Sequence, residues 1–326
     1  MIKVRRVRKG DLSRIREVVE SAFADFYERQ LGSRPRQVFG GAQYVHHRWL
    51  MEPWGCYVAE ENETKIVGAS IAVCWGSVGL FGPVAVLTPY QNQKIAQSLI
   101  KAAQVFFDEN HVTLQGVVSY PYSPKHLVLY QKFGFRPKAL VAITGRSLER
   151  RESQPAAPKP LRGALQVHRF SAYEESKKKG LLGRLRALTG KFYRGLDLTK
   201  EIEIVSGLAL GDTLVLEKDR AIVGFAICHT PGDSEAPHGA LYIKYAAIDP
   251  ARRRPEHFAQ LLTACEEFGV AAGCQRVIAP VYTTYWRAYQ TLLASGYQMD
   301  MLMIRMKRGR HDEYEREDDF ILDDWR

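Results

Sequence analysis

The sequence lacks the cysteine pattern of a disulfide scaffold or a zinc finger. Its 326 residues include five cysteines, an odd number, and none of them forms a CxxC pair. This pattern argues against a disulfide framework and a structural zinc site. The adjacent histidines His46 and His47 also lack ligand spacing. We therefore expect a cytoplasmic protein that binds no metal.

The sequence also lacks a secretory signal, because its charged N-terminus has no apolar core. Residues 66–93 carry no charge at all, which is long enough to suggest a membrane-spanning helix. Glycine and proline interrupt this stretch at Gly76, Gly79, Gly82 and Pro83. The stretch therefore predicts two buried strands joined by a turn, and no membrane association.

A nucleic-acid recognition motif is absent as well, although the net charge is +10. The positive charge is concentrated between Arg146 and Arg194, where a solvated linker and a solvated helix face explain most of it. The acidic residues near the C-terminus offset part of the charge. The apolar and charged fractions, 46% and 25%, are typical of a soluble globular protein. We do not expect binding to nucleic acid.

What the sequence does contain is an internal repeat. IVGASI at residues 66–71 recurs as IVGFAI at residues 222–227, an offset of 156. Further along, Val86 matches Ile248 and Gly134 matches Gly296, both at an offset of 162. An ordered series with two constant offsets indicates a duplicated domain with one insertion.

The repeat divides the chain into two similar halves. We predict a first domain at 1–148, a proline-containing linker at 149–162, a second domain at 163–308 and an acidic tail at 309–326. The first copy has the predicted order β-α-β-β-β-α-β-α-β, which indicates a mixed sheet flanked by helices.

A polar run at residues 90–94 separates an apolar strand from a helix that starts near Gln93 or Lys94. The start of a helix presents unpaired backbone N–H groups and the positive end of the helix dipole, which together can bind phosphate. The chain has no GxxxxGK[ST] motif and no GxGxxG motif after a strand. An ordinary strand-loop-helix connection is the alternative.

Two motifs of the first copy resemble the GNAT superfamily of acyl-CoA-dependent N-acetyltransferases. The family pattern V-x-P-x-[YF], followed by [RQ]-x-x-G-x-[GA], is matched by residues 86–96, with Thr88 in place of proline and Lys94 in place of the first glycine. LVLYQKFGF at residues 127–135 resembles the late motif A-x-x-LYE-x-x-GF. Tyr130 is the tyrosine of that motif.

The resemblance implies an α+β (mixed α/β) protein of two GNAT-like domains. Each would have a mostly antiparallel sheet, flanking helices and a splayed pair of parallel strands. It implies that acetyl-CoA is the co-substrate and that Tyr130 is the general acid that protonates the leaving thiolate. Simple packing of Tyr130 beside the sheet is the alternative. The residues implied to bind the cofactor are Val84, Ala85, Val86, Gln91, Asn92, Gln93, Lys94, Ile95 and Ala96.

The general base stays unassigned, with His126, Glu60, Glu61 and an ordered water as alternatives. The acceptor would be a small-molecule or peptide amine. Aromatic residues of the first copy could line its pocket or pack in the core. These residues are Tyr44, His46, Trp49, Trp54, Tyr120 and Tyr122.

The second copy departs further from the family pattern. Glu256 and Phe258 occupy both glycine-type positions, and Leu292 stands where the first copy has Tyr130. We predict a degenerate domain that packs on the first, closes its cleft or mediates homodimer formation. The whole chain is then either an N-acetyltransferase with an active first domain or a non-catalytic acyl-CoA sensor or scaffold.

Overall fold

The computed structural model describes residues 1–34, 41, 43–148, 164–309 and 314–326. The predicted linker at 149–162 lies outside these residues. Among the described helices, none is both long enough and apolar enough to cross a membrane.

The first half of the chain follows the predicted order of elements, with one additional helix. Its strands are β1 (Ile2–Arg6), β2 (Cys56–Glu61), β3 (Lys65–Trp75), β4 (Val78–Val86), β5 (Leu114–Ser119) and β6 (Arg136–Ser147). Its helices are α1 (Leu12–Leu31), α2 (Tyr44–Met51), α3 (Ile95–Glu109) and α4 (Pro124–Gln131). The sequence analysis missed α2.

The second half repeats this order. Its strands are β7 (Gln166–Arg169), β8 (Gly211–Lys218), β9 (Ala221–His229), β10 (Ala240–Ile248), β11 (Arg276–Tyr282), β12 (Gln298–Gly309) and β13 (Ile321–Asp323). Its helices are α5 (Glu175–Thr189), α6 (Thr199–Gly207), α7 (Pro255–Ala271) and α8 (Trp286–Ala294). Strands β4 and β10 begin and end 162 residues apart, and so do β6 and β12. These equal offsets match the repeat found in the sequence.

All strands belong to one continuous sheet that runs through both halves. Its order is β1-β2-β3-β4-β5-β12-β6-β11-β10-β9-β8-β7, and β13 pairs with β10. The last strand of the second half, β12, lies beside β5 of the first, and β6 of the first half lies beside β11 of the second. The two copies have therefore exchanged their long final strands, an arrangement that the sequence analysis did not predict.

Apolar residues at helical spacing hold α3 against the first half of this sheet. Its buried residues recur at intervals of three or four, as an amphipathic helix requires. They are Ile95, Leu99, Ile100, Ala103, Phe106 and Phe107. The helix start is thereby fixed at the end of β4, where the polar run lies.

The parallel strands β4 and β5 pair over only three residue pairs, from Val78 with Leu114 to Leu80 with Gly116. Beyond Leu80 the two strands diverge. The pairing of β4 with β3 is irregular in the same region, between Phe81 and Val84. The predicted splayed pair is thus present in a mixed α/β fold, and it leaves backbone groups of β4 open to a cleft.

Candidate active site

The polar run forms a compact loop at the start of α3. Asn92 and Lys94 have left-handed backbones, with φ values of 65° and 61°. The first hydrogen bond of the helix runs from Ser98 N–H to the Lys94 carbonyl, at 3.1 Å. The amides of residues 95–97 precede that bond, so they lie in the turn where helix N–H groups have no intrahelical partner. The loop therefore presents several amides to one anion site.

Lys94 takes the backbone conformation for which the family pattern uses glycine. A left-handed backbone costs a residue with a side chain about 1–2 kcal/mol. The substitution has therefore kept the shape of the loop at some cost in stability, and it has added an ammonium group beside the anion site.

A large cleft opens between this loop, β4 and α4, with a volume of about 720 Å³. Basic side chains contribute to its lining. They are Arg29, Lys94, Lys125 and Lys132. Lys125 donates a hydrogen bond to Oε1 of Gln91 at 3.1 Å, and Nε2 of Gln91 donates to the Val86 carbonyl at 3.1 Å. Gln91 thus ties the loop both to β4 and to a cation at the start of α4.

Eight of the nine residues implied to bind the cofactor line this cleft. They are Val84, Ala85, Val86, Gln91, Asn92, Lys94, Ile95 and Ala96. The ninth, Gln93, is exposed outside the lining, and its side-chain amide donates to the Pro89 carbonyl at 3.3 Å.

Tyr130 lies at the inner end of the cleft and is 8% exposed. Its ring packs edge-on against Phe81, with 5.9 Å between ring centroids, and against Phe135, with 6.4 Å. Burial raises the pKa of the Tyr130 hydroxyl above its usual value. The hydroxyl therefore stays protonated at neutral pH, as a general acid must.

A second, smaller space of about 230 Å³, which we call the inner cavity, adjoins the cleft. The two share part of their walls, including His126 and Tyr130. Much of the remaining wall of the inner cavity comes from the second half of the chain. These residues are Glu235, Pro237, Tyr242, Ile278, Met301, Met303, Trp325 and Arg326. The inner cavity is thus built jointly by both copies.

One end of the inner cavity is charged. The Glu235 carboxylate accepts hydrogen bonds from Arg48 Nε at 2.8 Å and from Lys244 Nζ at 2.9 Å. Burial opposes its ionisation, but these two cations hold the pKa of Glu235 well below its usual range. The cavity therefore combines apolar walls with a fixed anion between cations.

The structure separates the three side chains considered as general base. Glu60 is bound by Arg5 at 2.7 Å on the outer strand pair, and Glu61 accepts from the Tyr90 hydroxyl at 2.7 Å. His126 lines both the cleft and the inner cavity. Burial and the nearby Lys125 ammonium lower the pKa of His126 to about 4, so the imidazole is neutral at pH 7.

Two of the six aromatic residues named for the acceptor pocket, Tyr44 and Tyr120, line the inner cavity. Tyr122 stacks on Phe26 nearby. The other three lie elsewhere, since His46 and Trp49 stack on each other and Trp54 is 63% exposed beside Arg6.

The sequence analysis missed the second-half residues of the inner cavity. The apolar residues of FILDDW, at positions 320–325 inside the acidic tail, were the one signal that could have pointed to some of them.

In the second half, the chain's own C-terminal segment fills the equivalent cleft. We call residues 314–326 the tail. Its strand β13 pairs with β10 beyond Tyr242, where β10 has parted from β11. Asp319 contacts the Arg253 guanidinium at 3.2 Å, and Phe320 packs against Phe258, with 5.3 Å between ring centroids. The acidic tail therefore lies where a cofactor would enter.

The position equivalent to Tyr130 is the buried Leu292, which offers no proton donor. Tyr285, on the segment before α8, donates its hydroxyl to the Tyr314 carbonyl of the tail at 3.0 Å. The Tyr285 hydroxyl thus has a structural partner in the tail.

Comparisons with known families agree with this geometry. An acetyltransferase (GNAT) domain model matches residues 52–137, and an acetyltransferase (GNAT) family model matches residues 184–292. Together the two matches cover more than half of the chain. No curated protein sequence matches it.

Solved structures share the fold over nearly the whole chain. A Pyrococcus horikoshii protein, assigned provisionally as an acetyltransferase, is 14% identical with a TM-score of 0.66, covering 99% of this chain and 95% of that one. A GCN5-related N-acetyltransferase from Sphaerobacter thermophilus is 11% identical with a TM-score of 0.59, covering 96% and 98%.

A tandem GNAT protein from the clavulanic acid biosynthesis pathway is 10% identical with a TM-score of 0.56, covering 96% of this chain and 100% of that one. Two family matches at the two copies and a tandem neighbour of full length confirm the predicted resemblance. The chain belongs to the GNAT superfamily and is an acyltransferase with two GNAT domains.

Proposed function

We propose that the first domain transfers an acetyl group from acetyl-CoA to a primary amine. The observation that carries this proposal is the continuity of the cleft. It runs from the amide-lined loop at Lys94 to the buried hydroxyl of Tyr130, where the inner cavity begins. The loop would bind the pyrophosphate, and the open edge of β4 would bind the pantetheine arm.

In this reaction the amine nitrogen attacks the thioester carbonyl carbon and the carbon–sulfur bond breaks. Tyr130 donates its proton to the departing thiolate, and the amine loses a proton. His126, neutral at pH 7 and facing both spaces, accepts that proton directly or through a water. Its low pKa makes it a weak base, so the acceptor must enter largely as the free amine.

The inner cavity supports an acceptor with an apolar or aromatic body. Its walls carry aromatic rings and two methionines, and Glu235 is the carboxylate among its lining residues. Arg48 and Lys244 already neutralise that carboxylate, so Glu235 would orient a polar group of the acceptor more than it would attract a cation.

A thiol-release assay tests the proposal. Wild-type protein and Tyr130→Phe are incubated with acetyl-CoA and a panel of aryl-alkyl and aliphatic amines, and free coenzyme A is measured. Turnover that falls in the variant supports the enzyme. Calorimetric binding of acetyl-CoA with no turnover on any amine supports the sensor instead, and no heat on mixing overturns both.

A further inference from the structure

A second polar cluster lies behind the inner cavity, and both halves of the chain contribute to it. It consists of His47 on α2, Glu201 on α6 and His229 at the end of β9. Their side chains are 0%, 3% and 0% exposed. Three ionisable side chains buried this completely require compensation from one another or from a bound group.

The three side chains meet at one carboxylate oxygen. Oε1 of Glu201 is 3.5 Å from Nε2 of His47 and 3.2 Å from Nε2 of His229. Charge-assisted hydrogen bonds are shorter, about 2.7–2.9 Å. Neither imidazole nor this oxygen completes a hydrogen bond with another described residue. The three side chains therefore converge on one point, but their hydrogen-bonding groups are not satisfied by one another.

These separations suit a shared metal ion. Zinc binds imidazole nitrogen and carboxylate oxygen at about 2.0–2.2 Å, so neighbouring ligand atoms of a tetrahedral site are about 3.3–3.6 Å apart. Two histidines and one glutamate are also a ligand set that zinc uses in proteins. The two separations from Glu201 Oε1 are close to this value, and the three donor atoms all lie within 4.8 Å of one another.

A carboxylate stands behind one of the imidazoles. Nδ1 of His47 lies 3.3 Å from Oε1 of Glu235. Histidine ligands commonly donate their second N–H to a carboxylate, which fixes the tautomer that leaves the other nitrogen free for the metal. Glu235 is held in place by Arg48 and Lys244, so it can orient His47 in this way.

Glu235 and Glu201 differ in the charge of their partners, as expected if a cation binds beside Glu201. Glu235 has two permanent cations as partners, whereas in the described part of the chain the ion-pair contacts of Glu201 are the two imidazoles alone. A buried carboxylate without a permanent cation beside it is costly, and a divalent cation would compensate it.

We propose that His47, Glu201 and His229 bind one Zn²⁺ ion that joins the two halves behind the inner cavity. Spacing along the sequence could not indicate this site, because Glu201 and His229 follow His47 by 154 and 182 residues. Three protein ligands leave the fourth position of the ion to a water. Because the ligands are buried and do not line the inner cavity, we assign the ion a structural role.

Metal analysis of the untagged full-length protein tests the proposal. After removal of bound metal with a chelator and titration with Zn²⁺, we expect about one ion per chain and a higher melting temperature. Glu201→Gln and His229→Gln should weaken zinc binding by more than about 100-fold. His46→Gln is the matched control, because it changes the neighbouring histidine outside the cluster.

Absorption of the wild-type protein loaded with Co²⁺ gives a test that needs no variant to fold. Intense visible bands of a tetrahedral ion support the site. Weak bands typical of six-coordinate Co²⁺, or equal zinc-induced changes in melting temperature for wild type and Glu201→Gln, overturn it. The proposal is also overturned if the wild-type protein takes up no zinc and Glu201→Gln stabilises the metal-free protein.

Discussion

The two clefts of this protein are built by equivalent strands. In the first half, β4 and β5 pair from Val78 to Leu80 and then separate; in the second, β10 and β11 pair from Ala240 to Tyr242 and then separate. The first cleft is open, and the second holds the tail. A splayed strand edge needs partners for its backbone groups, and either a cofactor or a peptide segment can supply them.

The loops beside the two clefts differ accordingly. In the first, two residues adopt left-handed backbones, and the amides of residues 95–97 precede the first hydrogen bond of the helix. In the second, residues 249–258 contain no positive φ, and Arg253 binds the Asp319 carboxylate of the tail. The second loop therefore binds an anion through a side chain, whereas the first offers its backbone.

The largest expected effect concerns the tail, which fills the second cleft and whose Trp325 reaches the wall of the inner cavity. Trp325 is 1% exposed, stacks on Tyr314 and lies so close to Gly116 that a side chain there would overlap the indole ring. Trp325→Ala should lower the free energy of unfolding by about 3–5 kcal/mol, measured by urea denaturation. Trp54→Ala, at an exposed position, should change it by no more than about 0.5 kcal/mol. A loss for Trp325→Ala as small as that for Trp54→Ala would mean that the tail is not part of the core.

Removing the hydroxyl from the open cleft should affect catalysis but not folding. Tyr130→Phe should lower kcat/KM by about 100-fold, because general acid catalysis is lost while the ring packing is kept. Tyr289→Phe, on α8 of the second half, is the matched control and should leave kinetics unchanged. Full activity of Tyr130→Phe would contradict the role of this hydroxyl, which is the proton donor that the second cleft lacks.

The loops themselves can be compared with one substitution in each. Lys94→Gly should raise the free energy of unfolding by about 1 kcal/mol, because it relieves a left-handed backbone. Glu256→Gly, at the equivalent position in the first turn of α7, should lower it by about 0.5–1 kcal/mol. Urea denaturation measures both. A loss of stability in both variants would show that the Lys94 side chain outweighs its backbone strain.

The last expected effect depends on pH. His126, whose equivalent in the second half is Ala288, has a pKa of about 4 in the folded protein, because burial and Lys125 disfavour its charge. The unfolded chain binds that proton more readily, with a pKa of about 6.5. The free energy of unfolding should therefore fall as pH decreases from about 6.5 to about 4.

Substituting His126 should reduce this dependence. His126→Gln is expected to flatten part of the slope in urea denaturations between pH 4 and pH 7. Unchanged slopes in the variant would contradict the assignment to this histidine.

Much of the fold follows from local pattern, and the rest depends on contacts far apart in sequence. The uncharged stretch at residues 66–93 predicted two buried strands joined by a turn, and the structure has them as β3 and β4. Such a local pattern cannot say which strand lies beside β6 or β12, because both the exchanged and the unexchanged pairing bury the same faces. The exchange was therefore not predictable from periodicity.

The candidate site also has one part that local sequence predicted and one part that depends on contacts far apart in the sequence. The motif at residues 86–96 predicted the wall of the first cleft that β4, the loop and α3 form, since all of these residues are close together in the sequence. The inner cavity was missed because Glu235, Tyr242 and Trp325 come from the other copy. The many acidic residues of the tail also concealed the apolar Phe320 and Trp325, which are both buried.

The exchange of β6 and β12 has a consequence for handling the protein. Each half donates a long strand to the sheet of its neighbour, so the two halves are interlocked as well as tethered. A protease that cuts the backbone between β6 and β7 would yield two fragments that still co-purify. Expressing either half alone would leave a strand without its partners, exposed to pairing with another molecule.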